Sequence, residues 1–202
     1  MKRSEWMVGF GYKQAWLAVR DADTDTDTDA VMKALKLRDL GTVPWRSGID
    51  LAYLTDDRVV LTPPIPDADG VRWTLVVGQW LIRADVDVVA LSEALATEVQ
   101  AFVTHRVVEL HRWERAVDGE LIRAFAYIGE AGEVTRWTGE PDAAERAVGL
   151  PATLISAGAD ADAADVLVGE ADVMRVAGAW SVDPTALDGK PAPGPLRIAA
   201  AA

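Results

Sequence analysis

Glu109 and His111 stand two residues apart in HRVVELHRWERAVDGELIRAFAY, residues 105–127, the stretch that holds both histidines of the chain. On an extended strand, residues i and i+2 share a face. A carboxylate so placed orients or charges an imidazole, which makes the pair an acid–base candidate with Arg106 or Arg115 beside it. Arg106, Arg112, Arg115 and Arg123 form a basic island in an acidic chain, a set able to hold a carboxylate or phosphate. The simpler account pairs them with Glu109, Glu114 and Glu120 on neighbouring strands, and it takes precedence.

Other chemistries lack their residues. Along an unbroken strand from His105, the two imidazoles lie roughly 20 Å apart at about 3.3 Å per residue, too far to share a zinc ion. The chain has no cysteine and no HExxH, so no metal is expected. No serine sits in a G-x-S-x-G elbow. GFG at residues 9–11 precedes a strand instead of following one and opening a helix, and no G-x-x-x-x-G-K-[ST] occurs, so no nucleotide cofactor is expected. The alternating Asp and Thr of residues 22–31 lack the Gly and terminal Glu of a calcium loop.

The elements that position these residues follow from pattern. DG at residues 118 and 119 is the strongest hairpin signal, because a type I′ turn wants positive φ at both positions. A two-residue turn there sets Val117 opposite Glu120. His111 then faces Ala126, Trp113 faces Ala124, Glu109 faces Ile128 and Glu114 faces Arg123, joining opposite charges and matching bulk to space.

Upstream, residues 13–21 read as a strand, and Asp29 as the N-cap of a helix with Val31, Met32 and Leu35 on one side. GIDLAYL (48–54) and RVVLTPPI (58–65) read as a hairpin across an acidic turn. VRWTLVVGQWLI (71–82) is the most apolar strand. VDVVALSEALATEVQAFVTH reads as one helix capped by Asp87, with Leu91, Leu95, Val99 and Phe102 on a face. EVTRWTG (133–139) is a further strand, PDAAERAVGL a short helix, and EADVMRVAGAW a helix ending near Trp180 before the turn SVDPT.

The predicted fold is α+β: a mostly antiparallel sheet from two β-α-β-β units (13–66 and 71–139) with helices on one face. A helical C-terminal part (140–187) and a loosely held or extended tail (188–202) complete one domain over 1–202. A single irregular α+β sheet without duplication is the alternative.

The formal net charge of -12 disfavours nucleic acid and anionic membrane as partners and suits a basic protein partner. No stretch reaches about 18 consecutive apolar residues, so no membrane span is expected, and without the apolar run of a signal peptide a cytoplasmic location is expected. Eight tryptophans serve either the core or an exposed interface, with Trp113, Trp137 and Trp180 the interface candidates. The oligomeric state is not written in these residues.

The blocks WLAV, WTLVVG, THRVVELHRWERAVDGELIRAFAYIGEAGE and AGAWSVDPTAL, in this order, resemble a group of bacterial proteins without an assigned activity. The resemblance covers most of the chain and implies no catalytic residue. Small acidic cytosolic proteins often accompany toxins as immunity proteins. The function expected is therefore a non-catalytic acidic interaction protein, with an enzyme or small-ligand binder built on Glu109, His111 and the arginines as the alternative.

Overall fold

The structure, a computed structural model, describes residues 5–21, 28–153 and 167–201. One antiparallel sheet organises it. Its strands are β1 (Ala15–Arg20), β2 (Leu37–Val43), β3 (Arg58–Leu61), β4 (Ile65–Pro66), β5 (Arg72–Val77), β6 (Glu98–His105), β7 (Leu110–Val117), β8 (Glu120–Ile128), β9 (Glu133–Thr138) and β10 (Leu196–Ala201). They lie in the order β2-β10-β3-β5-β1-β6-β7-β8-β9, with β4 beside β5. The predicted α+β class and the mostly antiparallel sheet hold.

Six α-helices are described: α1 (Thr28–Ala34), α2 (Trp45–Leu54), α3 (Trp80–Ala84), α4 (Val88–Leu95), α5 (Ala143–Ala147) and α6 (Glu170–Trp180). They do not share one face. β1 is buried on both sides, and strict alternation sends Trp16 and Ala18 one way, Leu17 and Val19 the other. Trp16, Phe102, Trp113 and Phe125 lie on the side of the sheet that α2 and α6 cover. Leu17, Val19, Val99 and Val103 meet α1, α3 and α4. A sheet apolar on both faces needs helices on both.

Several expected elements change type. Residues 48–54 belong to α2, not to a strand: Trp45, Ile49 and Ala52 are buried at helical spacing, and Pro44 precedes the first turn. The proposed hairpin is absent, and β3 pairs with β10 and β5. At Gly48 the helix presses on the sheet so closely that a Cβ would fall 2.7 Å from Leu196. α4 has the expected cap, with Asp87 Oδ1 accepting from the N–H groups of Val89 and Ala90, but it ends at Ala96, whose φ is +47°. The rest of the supposed helix is β6, in the sheet between β1 and β7. Val99 and Phe102, assigned to one helix face, consequently lie on opposite faces of the sheet.

Three further differences follow. Asp29 lies in the first turn of α1 rather than before it, and the Asp/Thr run at 22–27 is outside the described residues. The first repeat unit is interrupted by α2, so its order is strand, helix, strand, helix and then two strands. The tail is extended but not loose. β10 is inserted between β2 and β3, with Leu196 and Ala199 fully buried.

A strand held on both sides is structural in a way that an arm is not. Leu196→Ala is expected to lower the stability measured by urea unfolding by about 2–5 kcal/mol, the usual cost of a buried Leu-to-Ala truncation. A change within about 0.5 kcal/mol would mean that the strand contributes nothing to the core.

Candidate functional site

The β7–β8 hairpin turns where expected, with Asp118 at φ +47° and Gly119 at +82°. Val117 faces Glu120 and Ala116 faces Leu121, as the turn requires. The pairing then slips by one residue at a β-bulge, leaving Ile122 without an opposite number. His111 faces Tyr127 rather than Ala126, and Trp113 faces Phe125 rather than Ala124. The two aromatic rings stack with centroids 4.4 Å apart, so contact between large groups replaces the expected match of large with small. Gly139 crosses the bulge so closely that a Cβ there would lie 2.3 Å from the carbonyl oxygen of Ile122.

The slip separates Glu114 from Arg123, the predicted cross-strand pair. Arg123 instead joins Trp113 on one face, where both donate to Glu145. Arg123 Nε lies 2.8 Å from Glu145 Oε1, and Trp113 Nε1 lies 2.6 Å from the same oxygen. Arg123 Nη1 also donates to the Thr138 carbonyl at 2.8 Å, and its guanidinium covers the Trp137 ring at 4.4 Å. Arg123 and Glu145 are both almost wholly buried. Glu114 remains on the other face, paired with Arg136 of β9 and 3.4 Å from Arg112.

The remaining arginines are also taken up internally. Arg106 holds Glu170 of α6 at 2.8 Å. Arg115 lies 2.7 Å from buried Glu98, in contact but out of line for a hydrogen bond from Nε. Arg112 additionally reaches Asp85 at 3.4 Å. The four do not converge on one anion site: Arg112 lies across the sheet from Arg115 and Arg123, and Arg106 lies in the turn before β7.

The acid–base pair is not assembled as expected. His105 ends β6, residues 106–109 turn, and β7 begins at Leu110, so no unbroken strand runs from His105. Glu109 has φ +48° in that turn, which breaks the alternation that would give it the face of His111. Its side chain folds over Gly129. His111 is buried opposite Thr104, with no hydrogen-bond partner for Nδ1. Burial pushes its pKa below 6.5, against the opposing pull of Glu170, Glu109 and Asp172. His105 pairs with Leu110, next along the ladder from Thr104 and His111, so the two imidazoles face opposite sides of the sheet. Among the described residues, no group of three or more His, Cys, Asp or Glu is placed to hold a metal ion.

Of the interface candidates, Trp113 is closed off from any partner, while Trp137 and Trp180 are half-buried against the core. Trp113 is fully buried, and Trp137 covers Arg123 and meets Phe125 edge-on. Trp180 donates to Asp142 Oδ2 at 2.6 Å and packs on Phe102. Sequence reasoning missed Glu145 and Asp142, although Asp-x-x-Glu before an apolar run is a capping-box signature. Asp142 Oδ1 accepts from Ala144 and Glu145 N–H, while Glu145 Oε2 accepts from Asp142 N–H.

One open feature among the described residues lies elsewhere. A groove of about 500 Å³ is lined by Phe10, Tyr12, Gln14, Asp50, Tyr53 and Asp188, among others. One wall is the segment before β1, which runs along the 3-10 turn Pro184–Leu187, with Phe10 N–H donating to the Pro184 carbonyl. The other is α2, where Asp50 and Tyr53 are one turn apart on a face. Gln79 ties the walls together, its N–H donating to Ala52 O at 3.2 Å and its Nε2 to Lys13 O at 2.8 Å. Tyr12 and Tyr53 are each nearly half exposed.

Comparison with family models, curated proteins and solved structures finds no match. The site is therefore read from its own geometry. Among the described residues, no helix is long and apolar enough to cross a membrane.

Two outcomes test this account of the hairpin. Glu145→Gln leaves Arg123 as a buried, uncompensated charge, and a loss of about 3–5 kcal/mol in urea unfolding is expected. Replacing Arg123 by Met in the same chain should recover much of it, whereas additive losses would show that the two residues are not coupled. The second outcome concerns His111. Because its folded-state pKa lies below the ordinary 6.5, the unfolded chain binds the proton more readily. The stability tied to neutral His111 is present above 6.5 and is lost as pH falls through that value toward the lowered one. His111→Gln should flatten that part of the stability–pH curve, and an unchanged curve would assign the dependence to other groups.

Proposed function

We propose that this chain is a non-catalytic interaction protein that presents an acidic surface to a basic protein partner. One observation carries the reading: each arginine of the basic island is turned onto a carboxylate of its own chain. Arg106 pairs with Glu170, Arg112 with Glu114 and Asp85, Arg115 with Glu98, and Arg123 with Glu145. The island is then no docking surface for phosphate or carboxylate, and the acidic excess of the chain falls to the exterior. The burial of His111 and the displacement of Glu109 weigh against an acid–base centre at the hairpin. A toxin with a basic surface, neutralised by this chain as its immunity protein, is one partner of that chemistry.

The immobilised full chain should capture from its native cell extract a protein of net positive charge. Retention should fall as salt rises from about 0.1 M to about 1 M, over which the screening length shrinks from about 10 Å to about 3 Å. Capture of nothing, or retention indifferent to salt, would count against an electrostatic interface.

A further inference from the structure

We infer that the groove between α2 and the segment before β1 receives an arginine or lysine side chain from a peptide segment of the partner. This deepens the proposed function and rests on it. The groove combines three features that select a cation. Tyr12 and Tyr53 present partly exposed rings, whose faces attract a guanidinium or ammonium within about 6 Å. Asp50 is exposed in the lining and makes no hydrogen bond or ion pair with any described residue, Arg46 one turn earlier included. Asp188 adds a second carboxylate, of which Oδ1 accepts from Gly9 N–H at 3.2 Å and Oδ2 makes no bond to a described residue.

Gln14 argues for a peptide rather than a bare cation. It is 3 % exposed, and its Oε1 accepts from Gly11 N–H at 2.9 Å. That backbone donor fixes which end of the amide is the oxygen. Nε2 is thereby a donor in the groove wall, with no acceptor among the described residues. A backbone carbonyl of the incoming segment supplies that acceptor, while its side chain meets the rings and Asp50. An anion would face two carboxylates and the negative faces of two rings. A purely apolar segment would cover Asp50 without a partner for its charge. A space of about 500 Å³ is of the size that holds one side chain with its flanking backbone.

Backbone amide NMR of the labelled full chain tests the assignment, with acetyl-Gly-Arg-Gly-amide, its lysine analogue and its neutral citrulline analogue as probes. The two cationic peptides should shift signals of residues 9–14 and 50–53. Citrulline should bind about tenfold more weakly or worse, as expected for loss of a charge-assisted contact. Asp50→Asn should weaken the arginine peptide about tenfold, and Tyr53→Leu about threefold, with unfolding midpoints near that of the parent. Equal binding of citrulline and arginine, shifts confined to other surfaces, or free arginine binding as tightly as the peptide would overturn the inference. Salt-sensitive capture of a basic protein that survives both substitutions would overturn the groove while leaving the acidic surface standing. Groove shifts without any captured protein would do the reverse, keeping the peptide-binding groove and removing the proposed partnership.

Discussion

The carboxylate of Glu145 is the constraint around which one end of the molecule is arranged. It is fully buried and must be met by donors. Three elements supply them: Trp113 from β7, Arg123 from β8, and the backbone of Asp142 at the start of α5. Arg123 can take part only because the strand slips at Ile122. Without the slip it would face Glu114 on the other side of the sheet. The bulge therefore decides which carboxylate each arginine finds. It gives Arg123 to Glu145 and leaves Glu114 to Arg112 and Arg136. Gly139 belongs to the same arrangement, since only a residue without a side chain passes Ile122 at that distance. The carbonyls of Thr138 and Gly139 then also accept from Arg123.

Local signals were legible in the sequence and long-range ones were not. The reversal at Asp118 and Gly119, the Asp87 cap, and the cores of β1 and β5 rest on neighbours in the chain, and all four are present. The register beyond Arg115 depends on a bulge, whose signature lies in Gly139 and Glu145, more than fifteen residues away. Judging pairs by bulk was also misleading, because stacked rings of Trp113 and Phe125 outweigh a large–small fit. β6 was lost for a different reason. A strand buried on both faces shows no polar alternation, so Leu91, Leu95, Val99 and Phe102 imitate a helical stripe that ends at Ala96.

The same distinction explains the tail and the candidate site. Ala199, Ala200 and Ala201 have little intrinsic strand preference, and β10 forms because β2 and β3 offer two open ladders. Glu109 and His111 were joined by spacing alone, which is valid only inside a continuous strand. The left-handed residue at 109 ends that validity. The groove walls are farther still from legibility, since Tyr12 and Tyr53 come together through Gln79, a residue on neither of them.

Charge is distributed by the demands of the interior. Glu98, Glu114 and Glu145 are buried carboxylates on or beside the sheet, and each lies within ion-pair distance of an arginine. Arginine suits that task because its fork is planar and permanently charged, and the same plane stacks on an aromatic face, as the Arg123 guanidinium does on Trp137. Each pair so formed is neutral, so the net charge of -12 is left to the remaining, more exposed groups. Carboxylates such as Asp50 then stand in water without a counter-charge from the chain. The acidity of the exterior is set by the composition, and the pairing inside the sheet decides which carboxylates are left to express it.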